Sequence, residues 1–136
     1  MVMEKSVLKC LYWNIHGITS QILGDKNNDP HFIKIIQGYD ILAISELHTK
    51  VNLSIPGFHL KKQKFRVKKH KGPKIGGGIA VFVNQKIADN FRLIPNDNVD
   101  SIWIKTSLGL EEEETRLGFY YCSPDGKNWI LTFLTL

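Results

Sequence analysis

The chain has 136 residues, close to half of them apolar, enough for one globular domain with a modest core and too few for two. Its net charge of +5 is concentrated: eight of the 18 lysines and arginines fall between positions 61 and 74 with no acidic residue among them, leaving ten cations against 13 acids elsewhere. The longest apolar stretches, 41–44 and 129–136, fall far short of the roughly 20 residues that cross a bilayer, and one concentrated basic stretch points to an anionic partner met at one place.

Residues 1–9 carry Glu4, Lys5 and Lys9 and no apolar run, so neither a signal nor a transit peptide is read, and a soluble intracellular chain, nuclear or cytoplasmic, is expected. Residues 7–13 (V-L-K-C-L-Y-W) predict a mostly buried strand that stops at the turn Asn14-Ile15-His16-Gly17. Asp29 offers an N-cap with Pro30 at the first helical position, and Phe32, Ile33, Ile35 and Ile36 share one broad face before Gly38, which predicts a short helix. Residues 40–46 (D-I-L-A-I-S-E) read as a second buried strand. Strand, helix, strand with short connections implies a right-handed parallel βαβ unit. Asn14 and Glu46 then emerge together at the carboxyl ends of its strands, where ligand sites of open α/β sheets lie.

After Pro56-Gly57, residues 58–64 alternate weakly as an edge strand, and the lysine-rich stretch with Gly72-Pro73 reads as an exposed loop over 61–77. Gly76-Gly77-Gly78 leads tightly into an apolar strand at 79–83. Residues 101–106 and 115–122 are two further strands joined by the turn 107–114. Pro124-Asp125-Gly126 breaks the last of them, and 127–136 begins an apolar segment with nothing after it to cover its other side. The expected class is α/β (α+β), with one mixed β-sheet made of the βαβ start and antiparallel strands.

Few residues here carry chemistry. Asn14 is a turn-capping amide or a site residue. Glu46, a carboxylate directly after I-L-A-I-S, is either solvated at the sheet edge or bound to a cation. Tyr121 closes the last strand, as an ordinary sheet aromatic or as part of a site. The glycine run is no phosphate loop, because it precedes a strand, whereas phosphate-cradling glycines follow a strand and open a helix. Lys61, Lys62, Lys64, Arg66, Lys68, Lys69, Lys71 and Lys74 suit a solvated arm, a nuclear-localisation signal or a phosphate contact, with Phe65 and His70 interleaved as possible stacking partners. The run 111–114 reads as a solvated acidic tip. Cys10 and Cys122, far apart and without C-x-x-C spacing, read as reduced core thiols.

In chain order, W-N-I-x-G (13–17), S-E-L-H-T (45–49), the basic loop followed by G-G-G-I-A-V-F-V (76–83), S-I-W-I-K (101–105) and Y-C-S-P (121–124) resemble the deoxyribonuclease I-like endonuclease/exonuclease/phosphatase superfamily. The similarity is greatest to the endonuclease domains of LINE-type retrotransposons. It implies a four-layer α/β sandwich of two face-to-face sheets, of which 1–136 would be a single truncated domain, the amino-terminal half, supplying mainly one sheet. It also implies metal-dependent hydrolysis of DNA phosphodiesters, with Mg²⁺ or Mn²⁺ held by Glu46 and Asn14, and Tyr121 touching the phosphate. The family's later G-D-x-N and S-D-H motifs, which supply the water-aligning aspartate, its asparagine partner and the catalytic histidine, have no counterpart. Gly24-Asp25-Lys26-Asn27 mimics the first of them but follows no predicted strand. This chain alone is therefore expected to have little or no nuclease activity, and to need the missing half or another chain over an open sheet face. The alternatives are a non-catalytic nucleic-acid-binding module working through the basic loop, and another superfamily phosphodiesterase acting on phosphoinositides, sphingomyelin or RNA tails.

Overall fold

Asp29 starts the helix as its sequence requires. Its Oδ1 accepts from the His31 amide at 2.8 Å, and Pro30 fills the first helical position of α1 (Pro30–Ile36). Phe32 and Ile36 are buried, whereas Ile35 is half exposed, so the apolar face is narrower than the sequence suggests. In this computed structural model the described residues are 7–15, 19–20, 24–25, 28–49, 51–65, 77–108, 114–121 and 131–135, with backbone alone described for 19–20, 24–25 and 131–135.

On either side of the helix run β1 (Cys10–Asn14) and β4 (Ile41–Ser45), parallel and in register from Cys10 opposite Ile41 to Asn14 opposite Ser45. Between β1 and α1 lies a small antiparallel pair, β2 (Thr19–Ser20) with β3 (Gly24–Asp25). Every residue of β4 is buried, as its continuous apolar sequence demands of a strand covered on both faces. β1 was expected to be mostly buried and is half-buried along its whole length. It lies at the end of its sheet, so only one flank is covered by a neighbouring strand. That sheet has the order β1-β4-β6-β5, with β6 (Ile79–Asn84) and β5 (Phe58–Lys64) antiparallel to their neighbours.

The expectation of one mixed sheet is corrected by a second four-stranded sheet, antiparallel throughout, of order β10-β9-β8-β7. It contains β7 (Phe91–Ile94), β8 (Ser101–Thr106), β9 (Thr115–Tyr120) and β10 (Leu131–Thr135). Residues 101–106 and 115–120 do pair as a hairpin, but in this sheet and not beside the βαβ unit. The physical reason lies in their alternation. Ile102, Ile104, Leu117 and Phe119 form a fully buried stripe that packs on Ile41, Ala43, Ile79, Val81 and Val83 of the first sheet. The opposite face of the first sheet, through Leu42, Ile44, Ala80 and Phe82, packs on Phe32 and Ile36 of α1. Each fully buried Leu, Ile or Phe contributes about 1.5–3 kcal/mol by leaving water, so the first sheet is strongly held from both sides. The face without a layer over it among the described residues is the outer one of the second sheet.

Candidate functional site

Parallel register carries β1 and β4 out at one edge. Asn14 lies opposite Ser45, and the Ile15 amide donates to the Ser45 carbonyl at 3.0 Å, so Asn14 and the Glu46 that follows Ser45 occupy neighbouring positions there. Tyr121, 75 residues further along the chain, reaches the same place from the end of β9. Its hydroxyl donates to Glu46 Oε1 at 2.7 Å, and its amide donates to the Asp100 carbonyl at 2.8 Å. Glu46 and Tyr121 are each 6% exposed, so this is a buried charge-assisted bond.

The backbone at this edge is unusual. Glu46 and His48 adopt positive φ angles of 54° and 52°, a left-handed conformation that non-glycine residues rarely take and that clusters at functional sites. The glycine run supports the turn. Gly77 and Gly78 sit at φ 73° and 98°, the His48 amide donates to the Gly77 carbonyl at 3.1 Å, and Gly78 lets the chain pass against Leu47, where an added Cβ would lie 3.4 Å from the Leu47 Cβ. Gln63 pins the segment that follows, accepting from the Leu53 amide and donating to the Val51 carbonyl, both at 2.8 Å.

Ser45, the first residue of S-E-L-H-T, is fully buried between Asn14 and Ile79, and its Oγ has no hydrogen-bond partner among the described residues. A buried hydroxyl left this way costs roughly 1–3 kcal/mol, and native proteins usually satisfy such groups with water or an ion. Among the described residues no group of three or more His, Cys, Asp or Glu comes together. Among the described residues the oxygen-bearing side chains at this edge are those of Asn14, Ser45, Glu46 and Tyr121, one amide, one carboxylate and two hydroxyls. They suit a hard cation that completes its shell with phosphate oxygens and water, which is how Mg²⁺ is commonly held.

The basic stretch divides. Lys61 Nζ donates to the Phe91 carbonyl at 2.9 Å. Lys64 Nζ donates to the Asn96 carbonyl at 3.1 Å, to Asn96 Oδ1 at 2.8 Å and to the Asn98 carbonyl at 2.7 Å. Both ammonium groups tie β5 to the second sheet and its loops. Partial burial lowers both pKa values, with Arg92 adding to the effect at Lys61 and Lys62 at Lys64, while Asp89 and Asp97 oppose it. Lys62 is exposed. Arg66, Lys68, Lys69, Lys71 and Lys74 lie outside the described residues, as do His16, Gly17, His70, Gly76, Cys122, Ser123 and Pro124 of the sequence motifs. Of the acidic run, Glu114 is described, half exposed and paired with Arg116 at 2.8 Å.

No helix among the described residues is long and apolar enough to cross a membrane. No protein-family model matches the chain, and neither a curated protein nor a solved structure matches it.

Proposed function

We propose that this chain carries half of a metal-dependent phosphodiesterase site acting on DNA, of the retroelement endonuclease kind its motifs resemble. Glu46 and Asn14 would hold a divalent cation, Mg²⁺ or Mn²⁺. What supports this most is the 2.7 Å bond between Tyr121 and Glu46, which joins two separated motifs at the edge where β1 and β4 end and where register brings Asn14 of a third. A bound Mg²⁺ would supply neutralisation of charge on the phosphate. Glu46 would keep one carboxylate oxygen oriented by Tyr121 and turn the other to the cation. Tyr121 has a single hydroxyl proton, and Glu46 accepts it, so its role is to position the carboxylate. A direct phosphate contact by Tyr121, the role implied by resemblance, would require that bond to open.

The chain has no residue matching the water-aligning aspartate or the histidine of the family motifs, so its own turnover is expected to be at most a trace. The test is nicking of supercoiled plasmid together with duplex binding, each in Mg²⁺ and in EDTA. Mg²⁺ is expected to tighten duplex binding, and Glu46→Gln to remove that increment while leaving metal-free binding intact. Robust nicking abolished by Glu46→Ala would overturn the half-site assignment. A Glu46→Gln chain that responds to Mg²⁺ as the parent does would overturn the metal role. It would leave a non-catalytic nucleic-acid-binding module, dependent on Lys68, Lys69 and Lys71, as the better account.

A further inference from the structure

The outer face of the second sheet carries a row of cations that the sequence does not reveal. Strand register sets Arg92 of β7 opposite Lys105 of β8, and Lys105 opposite Arg116 of β9. Their inward neighbours Phe91, Ile104 and Leu117 are buried in the core, so alternation turns all three cations outward. Adjacent strands lie about 4.8 Å apart, so the row spans about 10 Å.

Like charges directly opposite each other on neighbouring strands destabilise a sheet. Only one is offset here: Arg116 Nε donates to Glu114 at 2.8 Å, and neither Arg92 nor Lys105 has an ion-pair partner among the described residues. Beside the row is a polar cleft of about 210 Å³ lined by Asn90, Arg92, Lys105, Thr106, Ser107 and Glu114. Two residues along β8 on the same face stands Trp103, opposite Gly118. Trp103 lies across the backbone of Gly118, so closely that an added Cβ there would sit 2.5 Å from the indole, and it meets Tyr120 edge-on with centroids 5.7 Å apart. Trp103 and Tyr120 remain partly exposed.

We propose that this face binds single-stranded nucleic acid, with backbone phosphates along Arg92, Lys105 and Arg116 and an unpaired base against Trp103. It is a contact other than the Glu46 edge. Charge complementarity alone would also suit an acidic peptide. An aromatic platform one residue pair along the strand from the cations favours nucleic acid, because every base offers a face to stack while an acidic peptide uses only the charges. A paired duplex offers no free base face to the indole.

The test is fluorescence anisotropy of a labelled 20-residue oligothymidylate in EDTA, using the full chain with Lys68, Lys69 and Lys71 replaced by Gln so that the loop is silent. Inorganic polyphosphate and a poly-glutamate peptide serve as competitors. Binding is expected to be salt-sensitive. The Arg92→Gln/Lys105→Gln chain should lose two phosphate contacts, flattening the slope of log affinity against log salt by about 1.4. Trp103→Leu should weaken oligothymidylate by about 5-fold or more while leaving polyphosphate binding unchanged, and Trp103→Tyr should restore most of the loss. No binding in the loop-silent background would overturn the proposal. So would affinity unmoved by Arg92→Gln/Lys105→Gln, or poly-glutamate competing as well as oligothymidylate irrespective of Trp103. Because the measurement is made without metal, none of these outcomes bears on the Glu46 site.

Discussion

Removing the Tyr121 hydroxyl while keeping its ring isolates the bond that joins the two halves of the candidate site. Tyr121→Phe preserves the packing of a side chain that belongs to the core between the sheets and deletes one donor, 2.7 Å from Glu46 Oε1. Both partners are buried, so water cannot simply replace the lost donor. A hydrogen bond to a charged group contributes about 1.5–3 kcal/mol. In a chain of 136 residues each kcal/mol moves the midpoint of thermal unfolding by about 3–5 °C, which gives a fall of about 5–15 °C. Thermal unfolding followed by circular dichroism measures it, and a double-mutant cycle with Glu46→Gln separates this pair from any general loosening. A coupling of at least about 1 kcal/mol is expected for residues in direct contact. A fall below about 2 °C with coupling near zero would refute the claim that Tyr121 holds Glu46.

Gly78→Ala forces a Cβ into a φ of 98° and against Leu47, so a loss of about 1–3 kcal/mol is expected by denaturant titration, where a neutral result would mean the turn relaxes freely. Lys105→Gln relieves the like-charge pairs with Arg92 and Arg116 and should stabilise the unliganded chain by about 0.2–1 kcal/mol, readable in the same titration. Burial, and then the charge of Asp40, raise the Cys10 thiol from 9.0 to about 11. Because the folded value is the higher one, the folded state retains this proton longer. The associated stability is complete below pH 9.0 and disappears as pH rises through about 11. At pH 8 the native Cys10 should therefore be alkylated on the order of 100-fold more slowly than in urea, as site-resolved mass spectrometry would report.

The local features were legible because they are written within one element. Asp29 followed by Pro30 is a helix-opening pair, and a short continuous apolar run bounded by Asp40 and Glu46 suits a strand covered on both faces. Parallel pairing across a short helix then puts Asn14 and Glu46 at one edge without any further information. Assignment of strands to sheets was not legible. The alternation of S-I-W-I-K-T is the same whichever sheet its inward face packs on, and only nonlocal register settles that. The four-residue strand F-R-L-I escaped for a related reason: it is too short and too interrupted by Arg92 to show a period. Lys64 is the sharpest case. In sequence it is one lysine of a basic run, yet in space its ammonium is held by three oxygens of Asn96 and Asn98. The positive φ of Glu46 and the stranded Ser45 hydroxyl leave no mark on composition or periodicity at all.

On the proposed function, the carboxyl ends of β1 and β4 would hold a divalent ion. Titrating Mn²⁺ into ¹⁵N-labelled chain and following paramagnetic broadening of the amide signals tests it most directly. The signals of Asn14, Ser45, Glu46 and Tyr121 should broaden first, and Glu46→Gln should abolish the effect. Broadening that begins instead at Glu111 to Glu114, or that ignores Glu46→Gln, would contradict the account.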